Sequence, residues 1–456
     1  MNTVTRQPAA GDANGIGLTL AATSFGFVVV QLDVTIVNVA MPTIGAGYGT
    51  GVQGLQWIVD AYTLAFAALL LPAGTIGDRF GSRRVFSVGL VLFALASLAC
   101  AAAPSIAALV LARAAQGIGA ALILPASLSL LSHACAGDSE ARAHAVGWWT
   151  AIGGVVSAIG PVVGGMLTSS LGWRWIFFVN LPICAIGLLT TRRHVAETIR
   201  LPAQRLDIGG QLLAIVALVF LTHAVIEAGV HGWLSAGVLS GFAVAAAAAA
   251  AFIANEARVA APMIPLRLFR NRVLSVSVLL GIITNLTFYA LIFVLSLYFQ
   301  RAKGYTPTET GLALLPFTAI MLANLTSAHL ARRFSRRTPI ILGNVMSAVS
   351  FAWLHGVDDG TPYLHILPSL LLLALGTGMS TPAITSSILA SVEPARAATA
   401  SAIFSASRQI GSALGVALVG TLLAGEPTRI AADAAVSFDL SACLRLVSAL
   451  LAALCL

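Results

Sequence analysis

The 456 residues are 58% hydrophobic and only 9% charged, against roughly 25% charged in soluble globular proteins, so the chain cannot cover a soluble surface. Its formal charge of +8 does not make it a nucleic-acid binder, because the arginines fall in short segments between apolar runs. Five cysteines, Cys100, Cys135, Cys184, Cys443 and Cys455, are odd in number and form no CxxC pair, so neither a disulfide framework nor a metal site is expected.

Fourteen apolar runs approach the roughly 20 residues that span a bilayer. They cover about 17 to 41, 54 to 76, 85 to 103, 105 to 131, 143 to 167, 173 to 189, 208 to 226, 234 to 253, 273 to 298, 310 to 330, 339 to 354, 365 to 389, 399 to 423 and 442 to 456. This predicts an all-α polytopic membrane protein. With the N-terminus inside, inner segments hold eighteen arginines, from Arg6 and Arg79 to Arg337 and Arg396. Outer loops hold four basic residues, Arg174, Arg301, Lys303 and Arg429. The bias places both termini in the cytoplasm of a bacterial-type inner membrane. The first run is too long for a signal-peptide core and is read as a retained span.

The first run contains FGFVVVQLDVTIVNVAMP, with Asp33 at a depth where an ionisable group costs roughly 2.5 to 3.5 kcal/mol and marks a functional site by default. Gln31, Thr35 and Asn38 fall within about 20° of one helical face, with Asp33 on an adjoining sector. Asp60, in WIVDAYTLAF, is expected near the outer end of the second run, where water reaches it. It reads either as an ordinary interfacial acid or as an access point to Asp33. The turn AGTIGDRFGSRRVF crowds Gly74, Asp78, Arg79, Gly81, Arg83 and Arg84 together. A passive basic loop is one reading, and a charge pair made in one state and broken in another is the second.

Arg113, in LARAAQGIGA of the fourth run, lies about as deep as Asp33, roughly 12 Å at 1.5 Å per residue, so the two can pair. Such a pair serves coupling or structure, and both roles stay open. The fifth run, GGVVSAIGPVVGG, carries Gly153, Gly154, Gly160, Pro161, Gly164 and Gly165, which permit close helix contact and a kink. His223 and Glu227 stand one turn apart without an HExxH, which suits a polar patch better than a metal site.

An internal repeat brings Phe80 onto Phe334 and Gly117 with Gly119 onto Gly376 with Gly378, at offsets of 254 and 259 residues. Two related halves suit alternating access around a midplane site. The second half shows no clear mid-membrane acid. Candidate substrate-lining residues are Gln31, Asn38, Gln116, Asn285, Tyr289, Asn324 and Arg408. Arg408 either binds an anionic group or reaches back to the inner interface, the latter being the preferred reading. The last run, Ala442 to Leu456, has fifteen residues, below the roughly 17 a span needs. The final span is therefore expected to be truncated or poorly tilted into the bundle.

These strings, in order, resemble the major facilitator superfamily. GTIGDRFGSRR is similar to its inner-loop signature G-x-L-A-D-R-x-G-R-K, with Ile76, Gly77 and Ser82 as departures. RAAQGIG resembles the fourth-span R-x-x-Q-G-x-G, and the fifth-span glycines with Pro161 resemble the G-x-x-x-G-P-x-x-G-G of antiporting exporters. LDVTIVNVAMPTI with WIVDAYTLAF, the segment around Glu227, and the RQIGSALG that begins at Arg408 are similar to the 14-span drug:proton antiporter subfamily. That subfamily includes multidrug and antibiotic exporters, methylenomycin-resistance proteins among them.

The resemblance implies two six-helix bundles plus two extra central spans: a tail at 1–16, bundles at 17–200 and 263–456, and linking spans at 201–262. It implies gating by Asp78 and Arg79, proton coupling through Asp33, Arg113 and Asp60, and a rocking seam at Gly153, Gly160, Pro161, Gly164 and Gly165.

The sole lysine, Lys303, cannot form a Walker A loop, so energy is expected to come from an ion gradient or from downhill substrate. The expectation is a non-enzymatic, proton-driven exporter of a small amphipathic drug or antibiotic, with no cofactor. Its partners are protons, the substrate and the bilayer, and it is expected to act as a monomer. A metabolite exporter or permease on the same fold is the alternative. A receptor or membrane-embedded enzyme is the reading from another class.

Overall fold

The structure is a computed structural model that describes residues 13–135, 138–198, 207–259, 262–393, 396–423 and 430–456. Arg6, Arg200, Arg205 and Arg429 lie outside the described residues, as does most of the expected tail.

Helix α1 spans Ala13–Tyr48, α2 Val52–Phe80, α3 Ser82–Ala101, α4 Ile106–Ala134 and α5 Ser139–Ser170. A short α6, Trp175–Phe178, continues into α7, Asn180–His194, and then come α8, Ile208–His231, and α9, Ala236–Arg258. Helix α10 runs Arg272–Leu297 and ends in a π turn, Tyr298–Ala302. Then follow α11 Pro307–Ala313, α12 Ile320–Arg333, α13 Arg337–Leu354, α14 Tyr363–Ser391, α15 Ala397–Leu422 and α16 Ile430–Cys455. Thirteen spans are long and apolar enough to cross a membrane, counting α6 with α7 and α11 with α12 as one each. The other long helix, α13, is diluted by Asn344, Ser347 and Ser350, all fully buried.

Local chemistry sets the breaks. Ser105 caps α4 by accepting from Ala108 N at 3.2 Å, and Asn271 caps α10 through Val273 N at 2.9 Å. Thr306 and Glu309 form a capping box at α11. Each satisfies amides that a helix start leaves unpaired. The turn between α2 and α3 rests on Gly81, whose φ of 95° lies where only glycine sits without strain.

The final helix corrects an expectation. Measured from Ala442 the last run is too short, but α16 begins at Ile430 and has 26 residues. At about 1.5 Å per residue that is close to 39 Å. Its Asp439, exposed, bonds His355 at the end of α13 at 2.8 Å, so the acid does not end the helix.

Helices α1 to α7 pack among themselves, α1 on α5 and α7, and α2 and α3 on α4. Helices α10 to α16 form a second group, with α10 on α15, α13 on α14 and α16, and α12 on α14. The two groups meet where α1 touches α10, α2 touches α15 and α5 touches α11. Helices α8 and α9 pair with each other, and α8 also packs on α2 and α15.

The apolar core shows how the groups are joined. At one end a single cluster unites both, from Ile36, Met41, Ile44 and Leu55 to Phe293, Phe299, Phe351 and Ile366. Toward the other end, which carries the α2–α3 turn and Arg336, the core divides. One cluster centres on Phe86, Phe93 and Ile123, and a second on Leu274, Ile340 and Ile384. The apolar core is therefore continuous at one end and divided toward the arginine-bearing one, where Ala406 and Leu71 still pack against the clusters of the opposite group.

Candidate functional site

Asp33 stands within the first group, fully buried. Its Oδ2 accepts from Arg113 Nη1 at 2.5 Å. Its Oδ1 accepts from Gln116 Nε2 at 3.1 Å and from Asn180 Nδ2 at 3.0 Å. Helical spacing explains the set: Arg113 and Gln116 are three apart on α4 and share a face. Gln116 Oε1 in turn accepts from Arg113 Nη1 at 2.8 Å, and Gln116 Nε2 reaches Ser97 Oγ at 2.7 Å.

Arg113 is tied down further. Its Nε donates to Ile58 O at 3.1 Å, and its guanidinium lies 4.4 Å from the Tyr62 ring centroid. The arrangement joins helices α1, α2, α3, α4 and α7 in one polar core. Ser97, Asn180 and Tyr62 escape a reading of the sequence, since each is a lone polar group within an apolar run and sets no periodicity.

Asp60 differs from expectation. It is fully buried rather than within reach of water, and both its carboxyl oxygens lack a hydrogen-bond partner. Gln56, one turn before it, crosses the seam between the groups and donates to Ala417 O of α15 at 2.7 Å. The second acid is thus isolated where the first is crowded with donors.

The remaining residues separate. Gln116 belongs to the Asp33 core and faces no lumen. Asn38 Nδ2 bonds Val34 O at 2.8 Å, while its carbonyl accepts from Ser296 Oγ of α10 at 2.6 Å. Asn285, buried, bonds Gly281 O of its own helix at 3.1 Å. Gln31 and Tyr289 are half-buried, and Asn324 is exposed. Arg408 is half-buried, and its Nε is buried without a partner.

In the α2–α3 turn, Asp78 and Arg79 are exposed. Arg79 lies over the Phe80 ring at 5.1 Å, and neither residue forms an ion pair among the described residues. The turn is held instead by the strand-like segment after α7. Glu197 Oε1 accepts from Arg83 N at 2.8 Å, Thr198 Oγ1 accepts from Ser82 N at 2.9 Å, and Arg83 Nη1 donates to Val195 O at 3.0 Å. Gly81 leaves no room for a side chain, because a Cβ there would strike Glu197, whereas Gly74 faces open space.

The glycines of α5 serve two contacts. Gly153, Gly160 and Gly164 lie against Phe27, Thr35 and Ile36 of α1. Gly165 lies against the Pro307 carbonyl at the start of α11, and Gly311 lies against the Pro161 carbonyl. Helix α5 is therefore wedged between its own group and the other.

Thirteen long apolar spans around buried charge define a multi-pass membrane protein. The Major Facilitator Superfamily profile matches residues 23–416 and 277–456, and the chain belongs to that family. It is 40% identical over 408 residues to the methylenomycin A resistance protein of Streptomyces coelicolor, covering 89% of this chain and 86% of the relative. It is 39% identical to the multidrug resistance protein Stp of Mycobacterium tuberculosis, covering 89% of this chain and 76% of that one. Among solved structures, the nucleoside transporter NupG superposes with a TM-score of 0.67 at 14% identity, over 95% of this chain and 98% of that one. A bacterial homologue of the lysosomal transporter Spinster, in an inward-facing and unoccupied conformation, gives 0.65 at 16% identity, over 97% of this chain and 96% of that one.

Proposed function

We propose that this protein exports a small amphipathic drug or antibiotic across the bacterial cytoplasmic membrane in exchange for protons, as a fourteen-span monomer with cytoplasmic termini. In this reading α1 to α7 and α10 to α16 are two pseudo-repeat bundles, α8 and α9 the extra pair, and the arginine-bearing end faces the cytoplasm. The relatives named for methylenomycin and multidrug resistance support export.

The observation that carries proton coupling is the buried Asp33 carboxylate, held by Arg113, Gln116 and Asn180. An ionised carboxylate accepts from all three donors, whereas a protonated one must itself donate. Protonating Asp33 therefore evicts a donor and leaves the Arg113 charge uncompensated, which moves α4 relative to α1. Asp60, buried and unpartnered, is the second proton holder, neutral while no counter-charge approaches. The exposed Asp78 and Arg79 close against the other bundle in the opposite state, and α5 carries the motion across Gly165 and Gly311.

The test is drug-stimulated proton release from respiring inside-out vesicles, over a panel of antibiotics and dyes. The native chain should respond to at least one compound, and Asp33→Asn should abolish the response. Full response in Asp33→Asn would refute coupling at this residue. Stimulation by amino acids or sugars alone would reassign the protein to metabolite transport.

A further inference from the structure

We propose that the second helix group carries an anion subsite at Arg408 and Tyr289, and that the transported compound bears a carboxylate or an equivalent organic anion. The inference rests on the export reading and deepens it by naming the substrate's charge.

Arg408 lies on the side of α15 that meets α10, where Gly411 is seated on Ile282 and Gly415 on Leu286. These contacts fix two parallel helices in register. The opposite side of α15 goes to the first group, with Ala406 in that group's cluster and the Ala417 carbonyl taken by Gln56. Tyr289 shares the face of α10 that carries Ile282 and Leu286 and is therefore turned toward α15 as well. The Arg408 Nε is buried and unpartnered, and the five ion pairs among the described residues leave Arg408 out.

The comparison with the other buried arginines is decisive. Arg113 has Asp33. Arg445 of α16, fully buried, has no acid, but its three nitrogens are all engaged. Nε donates to Thr287 Oγ1 at 2.8 Å. Nη1 donates to Thr284 Oγ1 and Asn344 Oδ1, and Nη2 to Thr284 O and Thr377 Oγ1. Arg408 has neither kind of satisfaction. Nor do the described acids of its own group pair with it: Glu309, Asp358, Asp359 and Glu393 are exposed, Asp433 is half-buried near the start of α16, and Asp439 is exposed and paired with His355.

A guanidinium left half-buried with an unused donor suits a planar anion, which it binds through two parallel hydrogen bonds. The Tyr289 hydroxyl offers a further donor. Arg408 and Arg445 give this group two positive charges with no fully buried carboxylate among its described residues, a field that attracts anions and repels cations. Partial exposure leaves the Arg408 guanidinium accessible to a ligand.

The experiment uses the full chain, purified in detergent, with three probes of one shape: 2-naphthoate, 2-naphthamide and 2-naphthylmethylammonium. Binding is read by quenching of tryptophan fluorescence. The native protein should bind naphthoate about tenfold or more above the amide, the step expected for a charge-assisted pair against a neutral one. Arg408→Gln should bring the two to parity, Arg408→Lys should keep part of the preference, and Tyr289→Phe should weaken naphthoate while sparing the amide. Parity in the native protein, absence of binding by all three probes, or an undiminished preference in Arg408→Gln would each overturn the subsite. Should Arg408→Gln not fold, unchanged preference in both Arg408→Lys and Tyr289→Phe would overturn it.

Proton release in vesicles separates this from the export reading. Naphthoate bound through Arg408 with no proton movement refutes export and keeps the subsite. Proton-coupled movement of the amide or ammonium, with no preference for naphthoate, keeps export and refutes the subsite.

Discussion

The two helix groups solve the problem of a buried arginine in opposite ways. In the first, Arg113 meets a carboxylate, so the core around Asp33 is neutral overall but depends on both members. In the second, Arg445 meets threonines, an asparagine and a carbonyl, so its core keeps a net charge that no neighbour cancels. An ion pair can be broken by moving one proton, whereas a cage of neutral acceptors has nothing to titrate. The first core thus contains a group whose protonation would undo it, and the second does not.

The comparison can be broken most forcefully in the first group. Arg113→Leu strands Asp33 as a buried charge, an act that costs about 3 to 5 kcal/mol when a buried pair loses one member. The thermal midpoint of the purified protein should fall far, and restoring neutrality with Asp33→Asn in the same chain should recover much of it. Additive losses in the double variant would show that the pair does not work as a unit.

A smaller effect is expected from Arg445→Met. It removes the charge and strands only neutral acceptors, of which Thr287 already donates to Ile283 O at 2.9 Å. The main debt is Asn344 Oδ1, and one unsatisfied buried group costs about 1 to 3 kcal/mol. The midpoint should drop by less than in Arg113→Leu. An equal or larger drop would show that the two cores bear on stability alike.

The smallest effect lies outside the membrane. The Thr361 hydroxyl and neighbouring amides hold the Asp358 carboxyl below its ordinary value. A depressed carboxyl contributes stability above the ordinary aspartate range and loses it as pH falls through the lower folded value. Here the group is fully exposed, so acid should only loosen the turn between α13 and α14. Amide exchange at Asp358 and Thr361 should rise with acidification after correction for intrinsic rates, and Asp358→Asn should remove that dependence.

Much of the architecture was legible because a lipid-crossing helix must be long and apolar, which leaves a signal in any window of twenty residues. Asp33 and Arg113 were legible for the same reason in reverse, as charges where none is cheap. Asn180 and Ser97 were not, because amides and hydroxyls are tolerated in spans and only the fold shows that they converge on one carboxylate. Asp60 was misjudged by its distance along the chain: α2 starts at Val52, but closeness to a helix start in sequence does not set burial in the folded bundle, where Asp60 is fully buried. The final helix was misjudged because Asp433 and Asp439 resemble a loop until His355 appears as a partner. The alternative roles of Asp78 and Arg79 could not be separated from sequence, since a passive loop and a gating pair use the same exposed charges.

Helix α8 is fastened to α2 toward both of its ends, through Gln211 Nε2 to Ala68 O at 2.7 Å and through Glu227 to Gln53 at 2.6 Å. To α15 it is fastened near its later end, where Thr421 Oγ1 reaches Val225 O at 2.7 Å and Gly229 lies against Thr421. A strut pinned twice to one group and near one end to the other ties the two groups together at the end where their apolar core is continuous.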